Sequence, residues 1–144
     1  MMTNLFLDCE FNGFGGELIS MGIVSEGTDE FYEVLELSGD TWYHPWVKQN
    51  VLPVLNKEPV DQFVFQIKLH DFLSNFSEAH IIVDWPDDIK YFCQSLITGP
   101  GTMISIPRKM TFEIDRTLSN DSSAILHNAL EDARAIRDCW EKKQ

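Results

Sequence analysis

Leu5-Phe6-Leu7-Asp8-Cys9-Glu10-Phe11-Asn12-Gly13 is an apolar run that acquires two carboxylates at its end and then breaks at a glycine-rich turn. Side chains on a strand alternate between faces, so Asp8 and Glu10 point the same way. Two adjacent acids at the end of an apolar strand are costly unless a cation neutralises them. The stretch therefore predicts a buried first strand over residues 4–11 that carries half of a divalent-metal site.

The rest of the chain is read outward from that strand. Phe11 to Gly16 is a loop. Glu17 to Ser25 is a second strand, Glu26 to Asp29 a turn, and Glu30 to Leu37 a third strand whose alternation predicts one wet face. The three form a meander of hairpins. Ser38 to Asn56 reads as short helical turns over irregular backbone. Its aromatic residues could cover a cleft or plug one end of the sheet. Pro59 to Phe76 predicts an amphipathic helix with Pro59 in its first turn and Phe63, Ile67, Leu69, Phe72, Leu73 and Phe76 inward. His80 to Trp85 is a short strand, and Pro86 opens a helix that ends before Gly99. Thr102 to Ile106 is a strand, which Met110 to Ile114 could continue after the Pro107-Arg108-Lys109 break. A last helix runs from about Asn128, where Asn128 and Glu131 have capping-box spacing. Three hairpin strands followed by alternating helices and strands predict an α/β fold, with a mixed sheet covered on both faces.

At 144 residues the chain has the length of one domain. No apolar run approaches the roughly 20 residues that span a bilayer, and Met-Met-Thr-Asn lacks a basic leader, so a cytoplasmic protein is expected. Cys9, Cys93 and Cys139 form no disulfide framework or zinc pattern and read as small buried hydrophobes. A net charge of −12 argues against a broad basic face for nucleic acid. It does not exclude an enzyme whose metal ions meet the phosphate.

Chemistry-bearing residues recur at element ends. Asp8 and Glu10 end the first strand, and Asp84 ends the fourth. Asp87 and Asp88 open the helix after it. His127 and Asp132 bracket the start of the last helix. Ligands of α/β sheets gather at such strand ends and helix starts. Residues five apart on one helix lie roughly 140° apart, so His127 can share a site with Asp132 only from outside the regular helix.

Three of these segments, Leu7-Asp8-Cys9-Glu10-Phe11, the aspartate heading the middle helix, and His127-Asn128-Ala129-Leu130-Glu131-Asp132-Ala133, resemble the motifs of the DEDDh 3′→5′ exonucleases. The closest look is to their RNase T-like exoribonuclease branch. Trp46-Val47 followed by Asn50-Val51-Leu52-Pro53 also resembles that branch. The resemblance implies an RNase H-like fold: a five-stranded mixed sheet, second strand antiparallel, flanked by helices. In the second motif Asp88, followed by Ile89, fits the register best, with Asp84 next and Asp87 last.

The resemblance further implies Asp8, Glu10, Asp88 and Asp132 as ligands of two Mg²⁺ or Mn²⁺ ions, and hard oxygen donors suit both ions. His127 is the implied general base. The implied substrate is a single-stranded 3′ end, RNA before DNA, released as nucleoside 5′-monophosphates. Phe11, Phe14 and the glycine loop are candidates for stacking the terminal base, or simply a tight turn capped by core aromatics. Arg108 and Lys109 could guide the backbone, though a solvated loop is the simpler reading. Relatives of this kind often form homodimers. The alternatives are an RNase H-like nuclease acting on DNA or endonucleolytically, and a catalytically silent acidic binding domain.

Overall fold

A computed structural model describes residues 1–144. The first strand, β1 (Met2–Phe11), is central. It pairs antiparallel with β2 (Leu18–Ser25), which pairs antiparallel with β3 (Glu30–Val34). On its other side β1 runs parallel to β4 (Glu78–Val83), and β4 runs parallel to β7 (Lys109–Ile114). The result is a five-stranded mixed sheet in the order β3-β2-β1-β4-β7, with only the second strand reversed.

The expected fifth strand is misplaced at the sequence level. Thr102 and Met103 form β6, which pairs with β5 (Ile97–Gly99) in a separate hairpin. The main sheet is completed instead by the segment after Pro107-Arg108. β3 is also shorter than expected, because Leu35 and Glu36 turn to pair with Val60. Its anticipated wet face is only partly wet: Glu33 is buried, with its carboxylate 3.1 Å from the Lys57 ammonium.

Helices α2 (Gln62–Leu73) and α3 (Pro86–Leu96) cover one face. There Leu5, Leu7 and Cys9 meet Phe65, Leu69 and Phe92 in the main core. Pro59 does not enter α2, because Val60 is held by β3 and Asp61 caps the helix, its side chain accepting from the Val64 N–H at 2.8 Å. The inward face differs too. Phe63 and Ile67 are 71% and 44% exposed, whereas Phe65 is fully buried. Apolar residues surround this helix, so spacing alone does not select its buried stripe. α1 (Pro45–Asn50) and a 3-10 turn at Leu52–Val54 realise the short helical turns expected there. Val47 and Val51 fasten them to Ile19 of β2. No helix is long and apolar enough to cross a membrane.

The other face belongs to α4 (Ala129–Lys142), whose Ala133 and Ile136 pack on Phe6, Val24 and Ile82. Asn128 caps it, accepting from the Glu131 N–H at 3.1 Å. Only half of the capping box forms, since the Glu131 side chain pairs with Arg134. Gly22 sets how closely α4 approaches. It stands opposite Asp8 in the β1–β2 register. A Cβ there would lie 2.4 Å from the Ala129 carbonyl oxygen and 2.6 Å from the Leu130 nitrogen. Both are backbone atoms that cannot swing aside, so the first turn of α4 rests directly on β2 because residue 22 is glycine. Gly22→Ala should lower stability by about 1–3 kcal/mol, as overpacking does, and should weaken Mn²⁺ binding at the strand end below. Chemical denaturation and metal titration read both effects; a variant unchanged in both would contradict this role of Gly22.

Candidate metal centre

The carboxyl ends of β1 and β4 and the start of α4 converge at one edge of the sheet. Phe6, Asp8 and Glu10 share the α4 face of β1, as alternation requires. Asp84 follows the last residue of β4, and Asp88 lies in the first turn of α3. His127 precedes the Asn128 cap and so lies outside the helix. Its φ of +73° turns the chain just before α4 begins. Asp132 is one turn into α4. All five residues singled out from the sequence, Asp8, Glu10, Asp88, His127 and Asp132, meet here.

They fall into two groups. Asp8, Asp84 and Asp88 form one, and Glu10, His127 and Asp132 the other; in each, potential ligand atoms lie within 4.8 Å of one another. Asp84 and Asp88 thus enter the same group rather than competing for one place. Asp87 stands apart, its carboxylate accepting from the Trp85 indole N–H at 3.1 Å. A cavity of about 710 Å³ opens onto the cluster, with Phe14, His44, Trp46 and Trp85 in its walls.

The supporting contacts are specific. The Cys9 N–H donates to Asp88 Oδ1 at 3.2 Å, and the His127 N–H donates to Asp132 Oδ2 at 3.1 Å. Two other carboxylate oxygens of the cluster are less well served. Asp8 Oδ2 and Asp132 Oδ1 are buried and have no hydrogen-bond partner. Buried carboxylate oxygens are rarely left so, and an unmet one calls for a cation or a proton. The electrostatics agree. Burial, reinforced by Asp88, Glu10 and Asp132, holds Asp8 well above the usual carboxylate range. Burial, then Asp132 and Asp88, pushes Glu10 up to about 9. Asp88 is raised by burial and by Asp84. Burial also raises Asp132, against the pull of nearby Ser123 and of the His127 N–H.

A hard divalent cation fits the three carboxylates of Asp8, Asp84 and Asp88, and Glu10 and Asp132 add two more beside the His127 imidazole. The oxygens are carboxylates, and the nearby thiol is no competing ligand: Cys9 lies on the opposite face of β1 and burial pushes its pKa up. Mg²⁺ and Mn²⁺ suit such oxygen sites.

Several residues that shape the site carry weak sequence signals. Asn12 bridges the glycine loop to the α1 segment, donating to the Trp42 carbonyl at 2.7 Å and accepting from the His44 N–H at 2.9 Å. Trp46 then meets the His127 ring edge to face, with centroids 4.8 Å apart. Asn128 caps α4 and also donates to the Val54 carbonyl at 2.9 Å, so one side chain ties the helix to the 3-10 turn. Gly22 had a readable signal, a lone glycine inside an apolar strand. Of the two phenylalanines proposed for a base, Phe11 stacks on Tyr91 with ring centroids 4.7 Å apart and packs against the core, while Phe14 is fully exposed at the cavity. Arg108 and Lys109 lie at the opposite end of the sheet, where Lys109 stands beside Glu78 and Arg108 pairs with it at 2.7 Å. The sequence matches no protein-family model and no curated protein.

Acids with raised pKa bind protons in the folded state that the unfolded chain has already released. The metal-free protein should therefore lose stability as pH rises from the ordinary carboxylate value of 4.5 towards the value of about 9 at Glu10. Mn²⁺ should raise Tm more at pH 8 than at pH 5.5. Asp8→Asn should raise the metal-free Tm by several degrees, at about 2–8 °C per kcal/mol of repulsion relieved, and should blunt the response to Mn²⁺. A metal-free Asp8→Asn protein that melts below wild type would contradict this picture.

Proposed function

We propose that this chain is a metal-dependent 3′→5′ exonuclease of the DEDDh type, in the RNase T-like branch of the RNase H-like fold. It hydrolyses single-stranded RNA from its 3′ end in preference to DNA and releases nucleoside 5′-monophosphates. The observation that carries the reading is the meeting of Asp8, Glu10, Asp88, His127 and Asp132, with buried oxygens of Asp8 and Asp132 left unmet. The sheet order, with its reversed second strand, is the one such a fold requires.

Asp8, Asp84 and Asp88 would hold one Mg²⁺ or Mn²⁺, and Glu10 and Asp132 the other. When bound, the two ions supply a lowered pKa for the attacking water and charge stabilisation for the phosphoryl displacement. The carboxyls must first surrender the protons that burial lets them keep, so cation binding releases protons. His127 would accept the proton of the attacking water. Its backbone N–H is anchored on Asp132 Oδ2, and its ring is steadied by Trp46 but belongs to no helix. The α1 segment, held by Asn12 and by the Val47–Ile19 contact, walls one side of the cavity. Such a wall suits a site that admits an end rather than the middle of a strand.

A second role for His127 is also favoured by an observation: a ring nitrogen lies within 4.8 Å of carboxylate oxygens of Glu10 and Asp132, close enough for the three to share one cation. One series of measurements separates the two roles. With 5′-labelled single-stranded RNA and DNA, a ladder should shorten from the 3′ end with Mn²⁺ or Mg²⁺ and not with EDTA. Asp8→Ala should abolish it. His127→Ala should lower kcat by about 10²–10⁴-fold, the span of general acid–base catalysis, with Mn²⁺ affinity near wild type. Loss of Mn²⁺ affinity would make His127 a ligand, and absence of cleavage of either polymer with metal present would overturn the exonuclease reading.

A further inference from the structure

Trp85 is 48% exposed and belongs to none of the three buried clusters. Trp42 and Trp46 are as open, so exposure alone marks nothing; what sets Trp85 apart is a guanidinium over its ring at the cavity wall. Trp85 caps α3 between Asp84 and Asp88, with extended backbone that aims the ring into the wall of the cavity. Polar contacts rather than packing hold it. Its Nε1–H donates to Asp87 at 3.1 Å, and the Arg116 guanidinium lies 4.9 Å from its ring centre.

Arg116 is itself placed by the sheet. The β4–β7 ladder continues one residue past β7, where the Asp115 N–H donates to the Val83 carbonyl at 2.8 Å. The Asp115 side chain accepts from the Thr117 N–H and hydroxyl at 2.9 and 2.6 Å, which fixes the turn. Arg116 then donates to the Asp84 carbonyl at 2.5 Å. A guanidinium has five N–H donors, and most of them stay free here. In a chain of net charge −12, where the basic pair nearest in sequence, Arg108-Lys109, sits at the far end of the sheet, a positive group is thus built against the acidic cluster.

We infer that Trp85 and Arg116 form a second nucleotide subsite, in which a base of single-stranded nucleic acid stacks on the indole and the neighbouring phosphodiester meets the guanidinium. The subsite rests on the exonuclease reading and adds to it the nucleotide next to the one removed. An aromatic face accepts any base, so the subsite lends affinity and strand length rather than sequence preference. Arg116 offsets for the strand the repulsion that the five acids create.

The test compares a trinucleotide with the p-nitrophenyl ester of a nucleoside 5′-monophosphate, which lacks the second base. Trp85→Ala should lower the ratio of kcat/KM for the trinucleotide to that for the ester by about 5- to 150-fold, the range expected for one stacked base. The loss should fall mainly in KM, and Trp85→Phe should recover much of it. Arg116→Ala should reduce the salt dependence of trinucleotide binding by about one phosphate contact, a slope change of ~0.7. An unchanged ratio, or equal losses on both substrates, would overturn the subsite. If wild type cleaves neither substrate, the exonuclease reading fails by itself, and anisotropy of a fluorescein-labelled pentanucleotide then decides. Weaker binding by Trp85→Ala would sustain the subsite; equal binding, or none by wild type, would overturn it.

Discussion

Buried and half-buried carboxylates that face one another cannot all be ionised without a counter-charge, and the architecture of this protein depends on that constraint. Asp8, Glu10, Asp84, Asp88 and Asp132 gather at one end of a sheet, and in all five desolvation is the leading cause that raises the carboxyl's affinity for its proton. A folded chain selected for stability alone would place amides or apolar residues there. Repulsion of this kind persists where a function needs the charge, and divalent cations are the partners that hard, crowded oxygens recruit.

Everything around the cluster keeps the acids close. Parallel pairing of β1 with β4 brings two strand ends together, so Asp8 and Asp84 come from segments far apart in sequence. The first turn of α4 delivers Asp132, and the turn just before it delivers His127. The approach of α4 is governed by a single missing side chain at Gly22, opposite Asp8. The left-handed turn at His127 lets that residue and Asp132 face one centre from opposite sides of a helix boundary. Asn12 then ties the glycine loop to the segment before α1, and Asn128 ties the start of α4 to the 3-10 turn, with side chain to backbone bonds. The site is thus carried by strands and helix starts, with aromatic residues added around its mouth.

Much of this was legible from local pattern. The carboxylates of β1, the loop position of His127, the α3 start at Pro86 and the Asn128 cap all follow from periodicity, proline and capping rules that act within a few residues. The failures are where long-range pairing decides. Thr102–Met103 and Lys109–Ile114 both read as extended, and only the edge of β4 selects which one joins the sheet. In α2, apolar residues on several faces hid that Phe65, and not Phe63, points inward. Arg108-Lys109 drew attention as a basic pair, yet strand direction puts it at the wrong end and gives the site Arg116 instead. Sequence register allows one ligand per motif and so sets Asp84 against Asp88, whereas the turn between β4 and α3 presents both.

The central claim is that the five acids form a two-cation centre. It is tested most directly by anomalous diffraction from crystals grown with Mn²⁺. The account predicts two peaks at this edge of the sheet, one bounded by Asp8, Asp84 and Asp88 and one by Glu10 and Asp132, with the carboxyl positions little changed. An empty cluster in millimolar Mn²⁺, or manganese bound only elsewhere on the surface, would contradict it.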